Sequence, residues 1–303
     1  MSVSRGLDAY LYGMTVLSTI HRLKGSYPPA DSYRELDRTL VVPGGETGNA
    51  AILLARLGLR VRPEGVLLGS QTQEPLLRFF KKWGVDASGM KMDRNFEGWK
   101  DVILVDDRHR TVFGQFAFRF SKNGGRKWSS PNRVAVRRAR VAAIDPYFQS
   151  QSKQAARLCH GAGVPYVTLD CPYDSDCHRF SAVNVLSQFF LKSRYPKENP
   201  KSLLARYTAN SKGLTVFTFG AKPIWYARQG QPIRRFTPYK VKVSGTLGAG
   251  DSFRAGMVYG LWRKWDDEKC VRFAAGLAAC VCRKFPAALY PPKLQEVLKL
   301  TGI

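Results

Sequence analysis

A chain of 303 residues with 44% hydrophobic and 12% aromatic content carries enough apolar material for a sizeable core, which excludes a disordered or low-complexity protein. Forty-eight Lys and Arg against 23 Asp and Glu leave a formal charge of +25, large for a protein with a small-molecule ligand, and its simplest consequence is attraction for anions. Six scattered cysteines, Cys159, Cys171, Cys177, Cys270, Cys280 and Cys282, have no paired spacing, which argues against a disulfide framework and against a paired-cysteine zinc site. The longest apolar stretch, 273–282, is too short to span a bilayer, and residues 1–5 lack a signal-like apolar core. A cytoplasmic protein without a membrane partner is expected. The basic residues spread over 119–140, 192–206, 228–242 and 263–284 with no aromatic-interleaved binding motif, so the sequence does not favour nucleic acid as partner.

Taken in chain order, residues 10–18 read as a buried first strand. Segments 36–42, 100–105 and 111–118 read as antiparallel strands, the last two joined across 106–110. Between them a glycine-rich loop, Gly44 to Ala51, feeds an apolar helix ending at Gly58. Asn49 is placed either to cap a helix starting at Ala50 or, inside the glycine loop, to meet a ligand. Short apolar runs at 141–144, 166–169, 184–186 and 215–219 alternate with helical segments, the pattern of a parallel sheet. The expectation is a doubly wound α/β fold with a mostly parallel sheet flanked by helices, one domain over 1–303 with an appendage. Asp170, Asp174 and Asp176, after one strand end, serve either as turn residues or in holding a metal or substrate. His21, His109, His160 and His178 stand at no nucleophile or ligand spacing and read as surface or internally satisfied residues.

The most informative stretch is Gly245 to Gly256. A Val-Lys-Val alternation in 237–243 reads as a strand and 252–262 as a helix, so the glycines sit at a strand-to-helix junction. There the first N–H groups of the helix lack intrahelical partners and favour an anion. Asp251 beside them can accept a proton from a hydroxyl while the N–H groups hold charge on a phosphoryl group. The ordinary alternative is a helix entry capped by Asp251 or Ser252. Arg254, just past the turn, reads as a solvent-facing helix position, the alternative being a guanidinium that meets phosphate.

Together, G-G-x-x-x-N-x-A-x-x-L-A-R-L-G from Gly44 and T-x-G-A-G-D-S-F-x-A-G from Thr246 resemble the two signatures of the ribokinase-like, or PfkB, family of carbohydrate and nucleoside kinases. The resemblance implies an ATP- and Mg²⁺-dependent transfer of phosphate to a hydroxyl of a sugar or sugar-like molecule. It implies Asp251 as general base, Gly248, Ala249 and Gly250 as anion hole, and Gly44, Gly45 and Asn49 as acceptor contacts. It also implies Thr218 and Gly220 beside the nucleotide, and a helix over 269–283 walling the adenine pocket. A small antiparallel β lid drawn from about 10–43 and 97–120 is implied over the sugar, through which a homodimer is one arrangement family members adopt. A nucleoside kinase, and a weakly active pseudokinase binding sugar or nucleotide, are the alternatives. Four departures bear on them. Ser18 and Gly245 stand where many members carry aspartates, the second associated with a monovalent cation. Ser187-Gln188-Phe189-Phe190 replaces an N-x-x-E continuation that helps to place Mg²⁺, which leaves the metal ligands unassigned. Pro223 replaces a glycine after the T-x-G turn.

Overall fold

A computed structural model describes residues 6–106, 109–114, 116, 125–286 and 288–303. Its larger sheet has eight strands in the order β12-β11-β10-β9-β8-β7-β1-β4. The strands are β1 (Leu7–Gly13), β4 (Val61–Gly65), β7 (Ala139–Ile144), β8 (Tyr166–Leu169), β9 (Val183–Ser187), β10 (Leu214–Phe219), β11 (Lys222–Ala227) and β12 (Arg234–Phe236). From β4 to β10 all neighbours are parallel, and β11 and β12 extend the sheet antiparallel. All seven residues of β1 are buried, as a central parallel strand covered on both faces requires.

Helices cover both faces. The apolar cluster on one side takes in α1 (Glu46–Arg56), α8 (Ala249–Trp262) and α9 (Asp267–Cys282), and that on the other takes in α3 (Arg133–Arg138) and α4 (Gln149–Gly161). The remaining α-helices among the described residues are α2 (Gln73–Trp83), α5 (Asp176–Arg179), α6 (Gln188–Arg194), α7 (Pro200–Ala209) and α10 (Leu294–Thr301).

The expected strand 10–18 is two strands in different sheets. β1 ends at Gly13, and β2 (Val16–Leu23) begins a second sheet of order β3-β2-β5-β6, with β3 (Leu36–Gly44), β5 (Lys100–Val105) and β6 (Arg110–Gly114). The break falls where backbone groups find partners outside any ladder: Met14 N–H donates to Asp145 at 2.6 Å and its carbonyl accepts from Thr47 N–H at 2.9 Å. The expected lid is thus present as two antiparallel pairs, β3-β2 and β5-β6, joined along a parallel seam between β2 and β5. Residues 115, 117 and 118 of the expected third strand lie outside the described residues.

Two other boundaries differ. Residues 237–243 form no strand, because β12 already ends the sheet and, among the described residues, no further strand lies beside it; Val243 is left exposed. The first glycine helix starts at Glu46 with Gly45 as N-cap at φ 77°. Asn49 is therefore a residue of the helix and does not cap it.

Candidate active site

The chain runs from β1 to β4 on one side and later fills β7 to β10 on the other, so the crossover direction reverses between β1 and β7. Crevices at the carboxyl ends of strands at such a point bind ligands. Here Gly13 ends β1 and Asp145 follows β7. A Cβ on Gly13 would lie 1.8 Å from Asp145 Oδ2 and 2.5 Å from Thr47 Oγ1, so glycine lets that carboxylate approach the backbone. Asp145 accepts from Met14 N–H, from Thr47 Oγ1 at 3.0 Å and from the Arg254 guanidinium.

Arg254 does not face solvent. It is 1% exposed and pairs with the fully buried Asp145, because its position on α8 points into the sheet where a carboxylate waits. Sequence alone gave no sign of that partner, more than a hundred residues away.

Asp251 lies in the first turn of α8, whose N-cap Gly248 has φ 78°, a left-handed conformation that glycine adopts without a Cβ penalty. Asp251 Oδ2 accepts from Asn49 Nδ2 at 2.7 Å. The two family-like motifs, two hundred residues apart, thus meet in one hydrogen bond. Burial raises the Asp251 carboxyl above its ordinary range, while the Asn49 hydrogen bond and the Arg254 charge oppose the rise. Glu46, on the same wall as Asn49, accepts from Tyr147 Oη at 3.0 Å. Burial first, and then the Asp145 and Asp251 charges, push its carboxyl up to about 8.

These groups face a cavity of about 420 Å³, a size suited to a small molecule. Its floor includes Gly44, Gly45, Glu46, Asn49, Tyr147 and Asp251, and its roof includes Val16, Ser18, Ile20, Asp101, Ile103 and Val112 from the lid. Arg110, at the start of β6, donates to Thr246 Oγ1 at 3.1 Å, which ties the lid to the glycine turn. Within that turn Ala249 N–H reaches the Thr246 carbonyl at 3.2 Å, and Ser252 N–H the Gly248 carbonyl at 2.9 Å.

Thr218 and Gly220 lie at the carboxyl end of β10 and are not among the residues that line the cavity. Thr218 Oγ1 donates to the Leu186 carbonyl at 3.3 Å, and Gly220 is exposed with φ 64°. The three aspartates separate, and Asp174 is exposed. Asp170 accepts from Ser187 N–H and Oγ at 2.7 and 3.0 Å, and Asp251 helps to raise its carboxyl after burial. Asp176 instead pairs with Arg157 and Arg179. His178 is buried and satisfied by the Tyr207 carbonyl and the Asn184 amide. Among the described residues no group of three or more His, Cys, Asp or Glu is arranged to hold a metal ion. Gly245 has no room for the aspartate many relatives of the motif carry: a Cβ there would lie 2.6 Å from Phe285 Cδ2.

Residues 133–293, over half of the chain, match the family model described as pfkB family carbohydrate kinase. The chain belongs to the pfkB family of carbohydrate kinases. The 5-dehydro-2-deoxygluconokinase of Shouchella clausii is 26% identical over 282 residues, spanning 85% of both chains. That of Bacillus licheniformis is 29% identical over 285 residues, spanning 85% of this chain and 86% of the relative. Among solved structures, Arabidopsis thaliana ribokinase complexed with ribose and ATP superposes with a TM-score of 0.80 at 18% identity, over 98% of this chain and 99% of that one. Fructokinase with bound ATP from Xylella fastidiosa gives 0.78 at 18% identity, over 99% of both. The shared fold is the mostly parallel sheet flanked by helices with a small separate sheet. No helix among the described residues of this pfkB kinase is long and apolar enough to cross a membrane.

Proposed function

We propose that this pfkB kinase transfers the terminal phosphoryl group of ATP to a hydroxyl of a sugar or sugar-like acceptor, with Asp251 as general base. The observation that carries the proposal is the Asn49–Asp251 hydrogen bond at the floor of a lidded cavity, beside the N-terminus of α8. An acceptor held by Gly44, Gly45 and Asn49 presents its hydroxyl to Asp251. Asp251 takes the proton as the oxygen attacks phosphorus in line, and ADP leaves. The turn Gly248, Ala249 and Gly250 receives the charge on the transferred group, through N–H groups that helix geometry leaves without intrahelical partners. The Ala249 bond to Thr246 is long enough to be shared with an incoming oxygen. Positioning and electrostatics dominate phosphoryl transfer, so no covalent enzyme intermediate is needed.

On this reading Thr218, Gly220 and α9 border the nucleotide, whose anionic phosphates suit the basic surface. Mg²⁺ bound to those phosphates supplies charge neutralisation. The described residues offer it no preassembled cluster, and Asp170 is already bonded to Ser187. Monovalent-cation activation is not expected, since Phe285 occupies the space a side chain at 245 would need. We assign residues 1–303 to one domain and a homodimer to the lid. Val41, Val102 and Phe113 support the dimer: they lie in register across the lid and are 47%, 40% and 51% exposed.

The test is acceptor-dependent ADP formation from ATP and Mg²⁺ across neutral sugars, sugar acids and nucleosides, with Asp251→Asn beside the parent. A fall in kcat of about 10²- to 10⁴-fold in a folded variant is expected. Unchanged turnover would remove Asp251 from its role. A second reading, a sugar- or nucleotide-binding protein with little turnover, is favoured by the filled space at Gly245. Ligand-induced thermal shifts without ADP under any Mg²⁺ condition would select it.

A further inference from the structure

The lid contributes one carboxylate to the cavity whose chemistry is unfinished. Asp101 on β5 lies in register with Ser18 on β2, and both line the cavity. Asp101 is 9% exposed. Burial pushes its carboxyl up to about 6, and the neighbouring Ser18 hydroxyl opposes that rise. Its Oδ1 is buried without a hydrogen-bond partner. A buried acceptor left unmade is unfavourable by a margin that a donor from a ligand would recover.

The surrounding wall narrows what that donor is. Besides Asp101, the polar side chains lining the cavity are Ser18, Glu46, Asn49, Tyr147 and Asp251, and among the described lining residues there is no Lys or Arg. The other lining side chains are apolar. A hydroxyl on an uncharged carbon skeleton satisfies Asp101 Oδ1 and packs its carbons against Val16, Ile20 and Ile103. A carboxylate in the same place would meet like charge away from water, with no described cation lining the cavity to offset it.

We infer that Asp101 is a specificity-determining residue that accepts a hydrogen bond from an acceptor hydroxyl and makes the site prefer neutral sugars to sugar acids. This deepens the kinase proposal and rests on it. It also separates this chain's acceptor from the gluconate derivative named in the relatives called 5-dehydro-2-deoxygluconokinase.

The experiment compares the full-length parent with Asp101→Asn. ADP formation is measured against neutral sugars paired with their aldonic and uronic acids, and acceptor-induced changes in Tm are recorded in parallel. In Asp101→Asn the KM for the best neutral sugar is expected to rise about tenfold or more, with the KM for ATP unchanged and the neutral-over-acid preference narrowed. An active parent whose acceptor KM and preference are the same in the variant overturns the inference and leaves the kinase proposal standing. A parent that forms no ADP with any acceptor removes the kinase proposal, and the Tm shifts then decide on Asp101. A sugar-induced shift lost only in the variant supports it, and equal shifts, or none in either protein, overturn it. Should Asp101→Asn prove insoluble, Asp101→Ser is read by the same criteria.

Discussion

Asp145 and Arg254 show how a single residue takes its meaning from what surrounds it. The guanidinium is almost fully buried with Nε and Nη2 unpartnered, and the carboxylate gathers donors from β1's end, α1 and α8. Removing the charge of Asp145 leaves a buried cation with no counter-charge at that contact, a change that destabilises by about 3–5 kcal/mol. Asp145→Asn is expected to lose that much in urea denaturation, and a loss below about 1 kcal/mol would mean that water reaches the pair. Asp251 was legible from its motif because the glycines around it announce an anion turn. Asp145 was not, since an aspartate after an apolar run is also an ordinary loop residue, and neither Glu46 nor Tyr147 carried a signal apart from the cavity they share.

The glycine turn and α8 act as one element. Gly248 holds φ 78° at the N-cap, and an L side chain in that conformation costs about 1–2 kcal/mol. Gly248→Ala is therefore expected to lower stability by about that amount, and turnover by more than the stability loss explains, because the N–H groups that face the phosphoryl group are displaced. Thermal unfolding and ADP formation on one preparation check both; full activity would place the anion site elsewhere. The helix at Glu46 began earlier than propensity suggested for a related reason. Its glycines are poor helix formers, but Met14's carbonyl takes the Thr47 and Gly48 N–H groups at 2.9 and 3.2 Å, and a tertiary acceptor overrides local preference.

At the scale of the whole molecule, acidic groups concentrate around one cavity in a chain of formal charge +25. Glu46 moves from 4.5 to about 8 on folding, mainly through burial. Between those values the native state keeps a proton that the unfolded chain has released, so stability falls as pH rises across the window and levels off above it. Asp101, moved from 3.8 to about 6, contributes with the same sign over its lower range. Glu46→Gln removes the larger contribution, so its Tm is expected to gain on the parent's as pH is raised from 5 toward 8, by differential scanning calorimetry. Parallel curves would show that Glu46 is not protonated in the native state. The sequence by itself determined the fold class, the two glycine motifs and strands β7 to β10 of the parallel sheet, because apolar periodicity and glycine placement are local properties of the chain. The tertiary structure alone decided where the first strand divides, why 237–243 pairs with nothing, and which acids share the cavity with Asp251. Those outcomes depend on partners distant in sequence, and a carboxylate shows no preference for its partner until the fold has brought the two together.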